Sequence, residues 1–202
     1  MTLSERDYTL IIDRSGSMAQ KDQVGGRSRW ATARETTEAI AAKCDALDTD
    51  GLTLYVFGSR FRRYDGVDAG RVAQVFEENE PCGGTDLAGV LQHAFESYFA
   101  RKAKAKANTR PETILVITDG EPDDRRAVIR TIVDASRRIE RDEELALSIV
   151  QVGKDPGARR FLKLLDDELV SAGAPFDICD TVTLDEAEAI GLTEVLLSAI
   201  HD

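Results

Sequence analysis

The chain has 202 residues, with 26 Lys and Arg against 37 Asp and Glu, a formal charge of −11, and 42% hydrophobic residues. That balance excludes a general nucleic-acid binder, which needs a basic excess to meet phosphates, and a polybasic membrane-surface protein. Neither low-complexity nor fibrous, a chain this long buries roughly 70% of the surface its unfolded form exposes, so it is read as one domain over residues 1–202 that needs no disulfides.

Cys44, Cys82 and Cys179 are odd in number, far apart and without a Cys-x-x-Cys pair, the usage expected of reduced thiols in the cytoplasm. The opening MTLSERDYTLIID does not have the pattern of a secretory signal, and the apolar runs fall far short of the ~20 residues of a membrane helix.

Taken in order, Tyr8 to Ile12 (YTLII) is nearly all apolar, as expected of a central parallel strand covered on both faces. Trp30, Ala33, Ile40, Ala41, Cys44 and Leu47 then share one helical stripe. Leu52 to Phe57 and Phe61 to Tyr64 are strands whose short Gly58-Ser59-Arg60 link predicts an antiparallel hairpin, with Arg62 and Arg63 suiting an exposed edge. A short helix over Val72 to Phe76 precedes a strongly amphipathic one carrying Leu87, Val90, Leu91, Ala94, Phe95 and Tyr98. Further along come a strand at Thr113 to Thr118 (TILVIT), a helix with Val128, Ile129, Ile132 and Ile139, and a strand at Leu145 to Val152. A helix with Phe161, Leu162, Leu165 and Leu169, a strand at Phe176 to Val182 and a closing helix at Ile190 to Ile200 complete the chain. This alternation predicts an α/β, doubly wound fold: a mostly parallel six-stranded sheet with one antiparallel edge strand and helices on both faces.

In such sheets ligands bind outside the carboxyl ends of the strands. Three polar clusters map there: Asp13-Arg14-Ser15-Gly16-Ser17 after the first strand, Gly83-Gly84-Thr85-Asp86 before the Leu87 helix, and Thr118-Asp119-Gly120 after TILVI. Asp13, Ser15 and Ser17 stand two apart, so an extended loop would turn their oxygens to one side, and converging hard oxygens suit a hard cation.

With these residues the chain resembles the von Willebrand factor A domain family, which includes integrin inserted domains and many stand-alone bacterial members. IIDRSGSM matches the family's D-x-S-x-S metal-ion-dependent adhesion site, Thr85 its separate threonine, and Thr118-Asp119-Gly120 its later aspartate. The resemblance implies that Ser15, Ser17 and Thr85 bind Mg²⁺ or Mn²⁺ directly, while Asp13 and Asp119 act through water or as acceptors behind the ligands. It also implies a partner protein whose Asp or Glu completes the octahedron, in a binding module that is not an enzyme and takes no small-molecule substrate. The stretch FDICDTVTLDEAEAI looks like that of bacterial stand-alone members, some encoded with tellurite-resistance or stress-response systems; other relatives assist ATPases or metal chelatases. Integrin-type relatives switch affinity by sliding the last helix, which here corresponds to Asp185 to Ile200.

Rival chemistries fit less well. A haloacid-dehalogenase-type phosphatase would use Asp13 but needs a second acid two residues on, where Ser15 stands. Counting twelve from Asp13 as a calcium loop puts Met18 at the turn Gly and Val24 at the bidentate Glu, and neither GxxxxGK[ST], GxGxxG nor GxSxG occurs. His93 lies within a helical stripe and His201 is penultimate, both read as structural or solvated. Cys82 is read as a buried small hydrophobe in preference to a partly exposed thiol near the metal edge, and Trp30 as a packing residue that can brace the Lys21 to Arg29 loop, which Gly25 and Gly26 make a mobile candidate for shaping the binding face. Arg101, Lys102, Lys104 and Lys106 read as a solvated helix end away from the metal edge. Glu121, Asp123, Asp124, Arg125 and Arg126 are expected to rim the site, the arginines facing a partner's further acids.

Overall fold

The computed structural model describes residues 5–47, 51–105 and 109–191. Its strands are β1 (Asp7–Asp13), β2 (Leu52–Phe57), β3 (Phe61–Val67), β4 (Glu112–Thr118), β5 (Leu145–Gln151) and β6 (Cys179–Thr183). The helices are α1 (Arg29–Leu47), α2 (Ala69–Glu77), α3 (Leu87–Ala105), α4 (Arg125–Ser136), α5 (Pro156–Glu168) and α6 (Leu184–Ile190). The six-stranded sheet runs β3-β2-β1-β4-β5-β6, parallel throughout except for the β2–β3 hairpin, as the short Gly58-Ser59-Arg60 link implied.

The apolar strand runs resolve into period two once both faces are covered. Leu10, Ile12, Leu54, Val56, Leu115 and Ile117 pack with α1, α2 and α6, whereas Ile11, Tyr55, Phe57, Ile114, Val116 and Ile149 pack with α3, α4 and α5. Each fully buried aliphatic side chain contributes about 1.5–3 kcal/mol, so the two cores hold the sheet from both sides. From β1 the chain winds outward through α1 to β2 and β3. It then recrosses by α2 and α3 to β4 on the other side of β1. This reversal opens a crevice at the carboxyl ends of β1 and β4, where Asp13 and Asp119 stand.

Two expectations shift. Ile139 is buried but lies beyond α4, whose cap at Arg137 ends the helix with its N–H on Val133 and Ala135 carbonyls. The last strand begins at Cys179, not Phe176, because pairing with β5 starts at Leu147–Cys179, while the Phe176 N–H is taken by Ser136 Oγ at 3.0 Å. Before the segment expected to close the chain, α6 starts at Leu184, launched by a capping box in which Thr183 and Glu186 satisfy each other's backbone N–H groups, and it ends at Gly191 with φ 90°. The expected helix over Ile190 to Ile200 and His201 fall, beyond Gly191, outside the described residues.

Candidate functional site

Asp13 is the last residue of β1 and is fully buried. One of its oxygens accepts the Ser15 N–H at 2.7 Å and the other the Thr118 hydroxyl at 2.6 Å, which locks the carboxylate between the ends of β1 and β4. The segment after it is not extended: Gly16–Ala19 forms a 3-10 turn, pinned by fully buried Met18. The turn still brings the serines together, with Ser15 Oγ and Ser17 Oγ 3.0 Å apart and Ser17 Oγ donating to Asp119 Oδ1 at 2.9 Å. Asp13, Ser15, Ser17 and Asp119 are therefore one hydrogen-bonded chain across the crevice.

Thr85 arrives from a separate loop. Gly16 N–H donates to Gly83 O at 3.1 Å and Cys82 N–H to Arg14 O at 2.6 Å, stitching that loop to the β1 turn. Thr85 is 7% exposed, and its backbone exchanges hydrogen bonds with Asp123, N–H to Oδ2 and O from the Asp123 N–H, each 3.0 Å. The approach requires Gly84, since a Cβ there would come within 2.7 Å of Asp123 Oδ2. No hydrogen bond among the described residues joins the Thr85 hydroxyl to the other four side chains; what places it beside them is the backbone stitching.

Burial pushes the Asp13 carboxyl up to about 6, opposed by the hydrogen bonds from Thr118 and Ser15 and assisted by the nearby charge of Asp119. Asp119 is also fully buried, and its second oxygen accepts from Arg29 Nη1 at 2.7 Å. Arg29 is shared with Asp22, which holds its Nε and Nη2 at 2.5–3.1 Å. The hydrogen bonds from Arg29 in turn hold the Asp22 carboxyl below its ordinary range. Carboxylates thus outnumber cations in a buried setting, and unpaired buried charge is costly. Among the described residues no three His, Cys, Asp or Glu side chains gather into a metal cluster; the donor set here is hydroxyls backed by two carboxylates. Hard oxygens with surplus negative charge fit a hard divalent cation.

Arg29 and Asp22 are the side chains that sequence reasoning did not assign to the site, while Thr118 and Asp123, expected at its edge and rim, hold Asp13 and the Thr85 backbone. Arg29 had a usable signal: a cation in the first turn of a helix opposes the helix dipole unless an anion meets it. Cys82 departs from expectation, being exposed, with Arg14 Nη1 2.8 Å from its sulfur. On the rim, Asp124 caps α4 through the Ala127 N–H, and Arg125 is ion-paired with Glu121 and lies over the Phe161 ring, so it is engaged within the chain. Trp30 packs on Phe76 with ring centroids 4.4 Å apart, and His93 is bonded to the Tyr55 hydroxyl at 3.0 Å, both structural. Among the described residues, no helix is long and apolar enough to cross a membrane.

The sequence matches the model of the von Willebrand factor type A domain over residues 8–121. No curated protein matches it. Among solved structures, a mutant of the PilB minor pilin from Streptococcus sanguinis is similar in fold with TM-score 0.64 and 13% identity, covering 95% of this chain and 59% of that one. The manganese-loaded TRAP protein of Plasmodium vivax superposes with TM-score 0.58 at 16% identity, over 94% of this chain and 73% of that one. Proximal thread matrix protein 1 from the mussel byssus gives 0.55 at 13%, over 96% and 46%. This chain therefore spans about 59% of the pilin's length.

Proposed function

Because the chain belongs to the von Willebrand factor type A domain family, whose members are generally metal-dependent protein-interaction modules, we propose that its crevice binds a divalent cation and, through it, an acidic group of a partner protein. The observation that carries this reading is the continuous chain Asp13–Ser15–Ser17–Asp119 at the switch point, with the Thr85 loop stitched to it. Ser15, Ser17 and Thr85 would hold Mg²⁺ or Mn²⁺, and Asp13 and Asp119 would orient the hydroxyls and supply negative charge. The manganese in the TRAP structure supports the class of ion.

When bound, the ion supplies positive charge that neutral hydroxyl ligands leave largely uncancelled, which favours an incoming Asp or Glu. Burial of Asp13 with both oxygens engaged supports a binding module over a phosphatase, which needs that carboxylate presented to substrate. We take residues 1–202 to hold one cytoplasmic domain of bacterial type, serving a stress, tellurite-resistance or ATPase-associated system. It has no nucleic-acid, membrane or small-molecule partner.

Calorimetric titration with Mn²⁺ tests the site. Binding is expected in the unaltered chain and lost in Asp13→Ala and Thr85→Ala, each still folded by circular dichroism. Retained Mn²⁺ binding in both variants would falsify the assignment. Metal-dependent phosphate-ester turnover that disappears in Asp13→Asn would instead establish the phosphatase.

A further inference from the structure

We propose that Arg29 is a positioning residue that serves as the built-in counter-ion of the cation site, fixing Asp119 and setting how tightly a divalent ion is held. The inference rests on the reading of the crevice as a cation site. Arg29 is 7% exposed at the first position of α1, where the helix dipole opposes a cation, and it is retained there by two carboxylates. The backbone makes room for it. Gly153, at the end of β5 with φ +84°, would bring a Cβ to 2.8 Å from Arg29 Nε. All three guanidinium nitrogens are engaged: Nε and Nη2 face Asp22, and Nη1 faces Asp119 Oδ2. Asp119 is consequently held with its other oxygen on the Ser17 hydroxyl, so the fixed charge of Arg29 stands one carboxylate away from the proposed ligands.

Two consequences of opposite sign follow. Without a divalent ion, Arg29 compensates Asp119 beside the buried Asp13, so the empty crevice stays folded. With the ion present, Arg29 competes with it for Asp119, so its charge lowers the affinity. Asp22 tempers that competition by sharing the guanidinium. Its side chain is 41% exposed and can be neutralised without opening the core.

The test uses the full chain, with Mn²⁺ alone as probe, in calorimetry and in thermal melting with EDTA. Arg29→Gln is expected to melt lower in EDTA, to bind Mn²⁺ about tenfold more tightly than the unaltered chain and to regain its melting temperature on Mn²⁺ addition. Arg29→Lys retains the charge and is expected to keep the ordinary affinity. Asp22→Asn leaves Arg29 committed to Asp119 and should weaken Mn²⁺ binding about threefold. A purely structural role would lower the melting temperature of Arg29→Gln without tightening Mn²⁺ binding, and that result overturns the inference. So does unchanged or tighter binding in Asp22→Asn, the readout that decides if Arg29→Gln does not fold. If the unaltered chain binds no Mn²⁺ but Arg29→Gln does, the site reading fails as stated and the counter-ion role stands. If neither binds, and Asp22→Asn does not bind either, both are overturned.

Discussion

At the amino ends of β1 and β4, fully buried Arg6 donates to Thr113 Oγ1 at 2.7 Å, Glu143 O at 2.6 Å and Glu112 O at 2.8 Å. There Glu112 accepts from Thr9 Oγ1 at 2.5 Å and from Arg101, and Lys102 meets Glu144 at 2.6 Å. At the carboxyl ends of the same strands, Asp13 and Asp119 are equally buried, but the guanidinium bonded there among the described residues, that of Arg29, is divided between Asp119 and Asp22. One end closes its charges with the chain's own cations. The other is left with fewer cations than carboxylates, and its Ser15 and Ser17 hydroxyls are bonded to each other and to Asp119. That imbalance between the two ends is what supports the proposed cation site at the carboxyl ends.

Removing the central cation of the closed end is the harshest way to break this contrast. Arg6→Met leaves buried carbonyls and the Thr113 hydroxyl without their donor, and the expected loss is about 3–5 kcal/mol, the same with Mn²⁺ or EDTA. Urea unfolding measures it. A loss that Mn²⁺ repaired would mean that the two ends are not separate.

Much of this layout was legible in sequence, and the reasons are local. β2 was readable residue for residue because its apolar run is bounded by Gly51 and Gly58, and the hairpin to β3 followed from the length of the link. Asp13, Ser15, Ser17, Thr85 and Asp119 were placed at one edge because each follows a strand or precedes a helix whose direction the parallel topology dictates. Less legible were pairings that have no period. Arg6 with Glu112 and Arg29 with Asp119 are joined only by folding, and α6 rests on the Thr183–Glu186 capping box, a local signal that apolar periodicity does not carry. Cys82 was expected in the core on residue type alone. The loop stitching through Arg14 O and Cys82 N holds its backbone, leaving the thiol outside.

A smaller perturbation sharpens the anionic end. Gly153→Ala sets a Cβ against the Arg29 guanidinium and forces a left-handed residue to carry a side chain. The expected cost is about 1–3 kcal/mol in EDTA, read by urea unfolding. A change below about 0.5 kcal/mol would show that Arg29 is not confined by β5 and that its bond to Asp119 does not depend on that space.

The smallest effect concerns how well the closed end is settled. Burial raises the Glu112 carboxyl above its ordinary range despite the opposing charge of Arg101 and the bond from Thr9. A carboxyl raised in the folded state binds its proton more tightly there than in the unfolded chain. Its stabilising contribution is therefore full below the ordinary glutamate pKa and is lost as pH rises through the raised value. Glu112→Gln does not titrate. The stability of the unaltered chain minus that of the variant is therefore expected to fall as pH rises from the ordinary glutamate pKa through the raised one, as measured by urea unfolding at several pH values. A difference that rises with pH would mean that Arg101 outweighs desolvation, so that the paired end gains from its ion pair. A falling difference would mean that desolvation outweighs both Arg101 and the Thr9 bond, so that even ample cations do not cancel the cost of taking a carboxylate out of water.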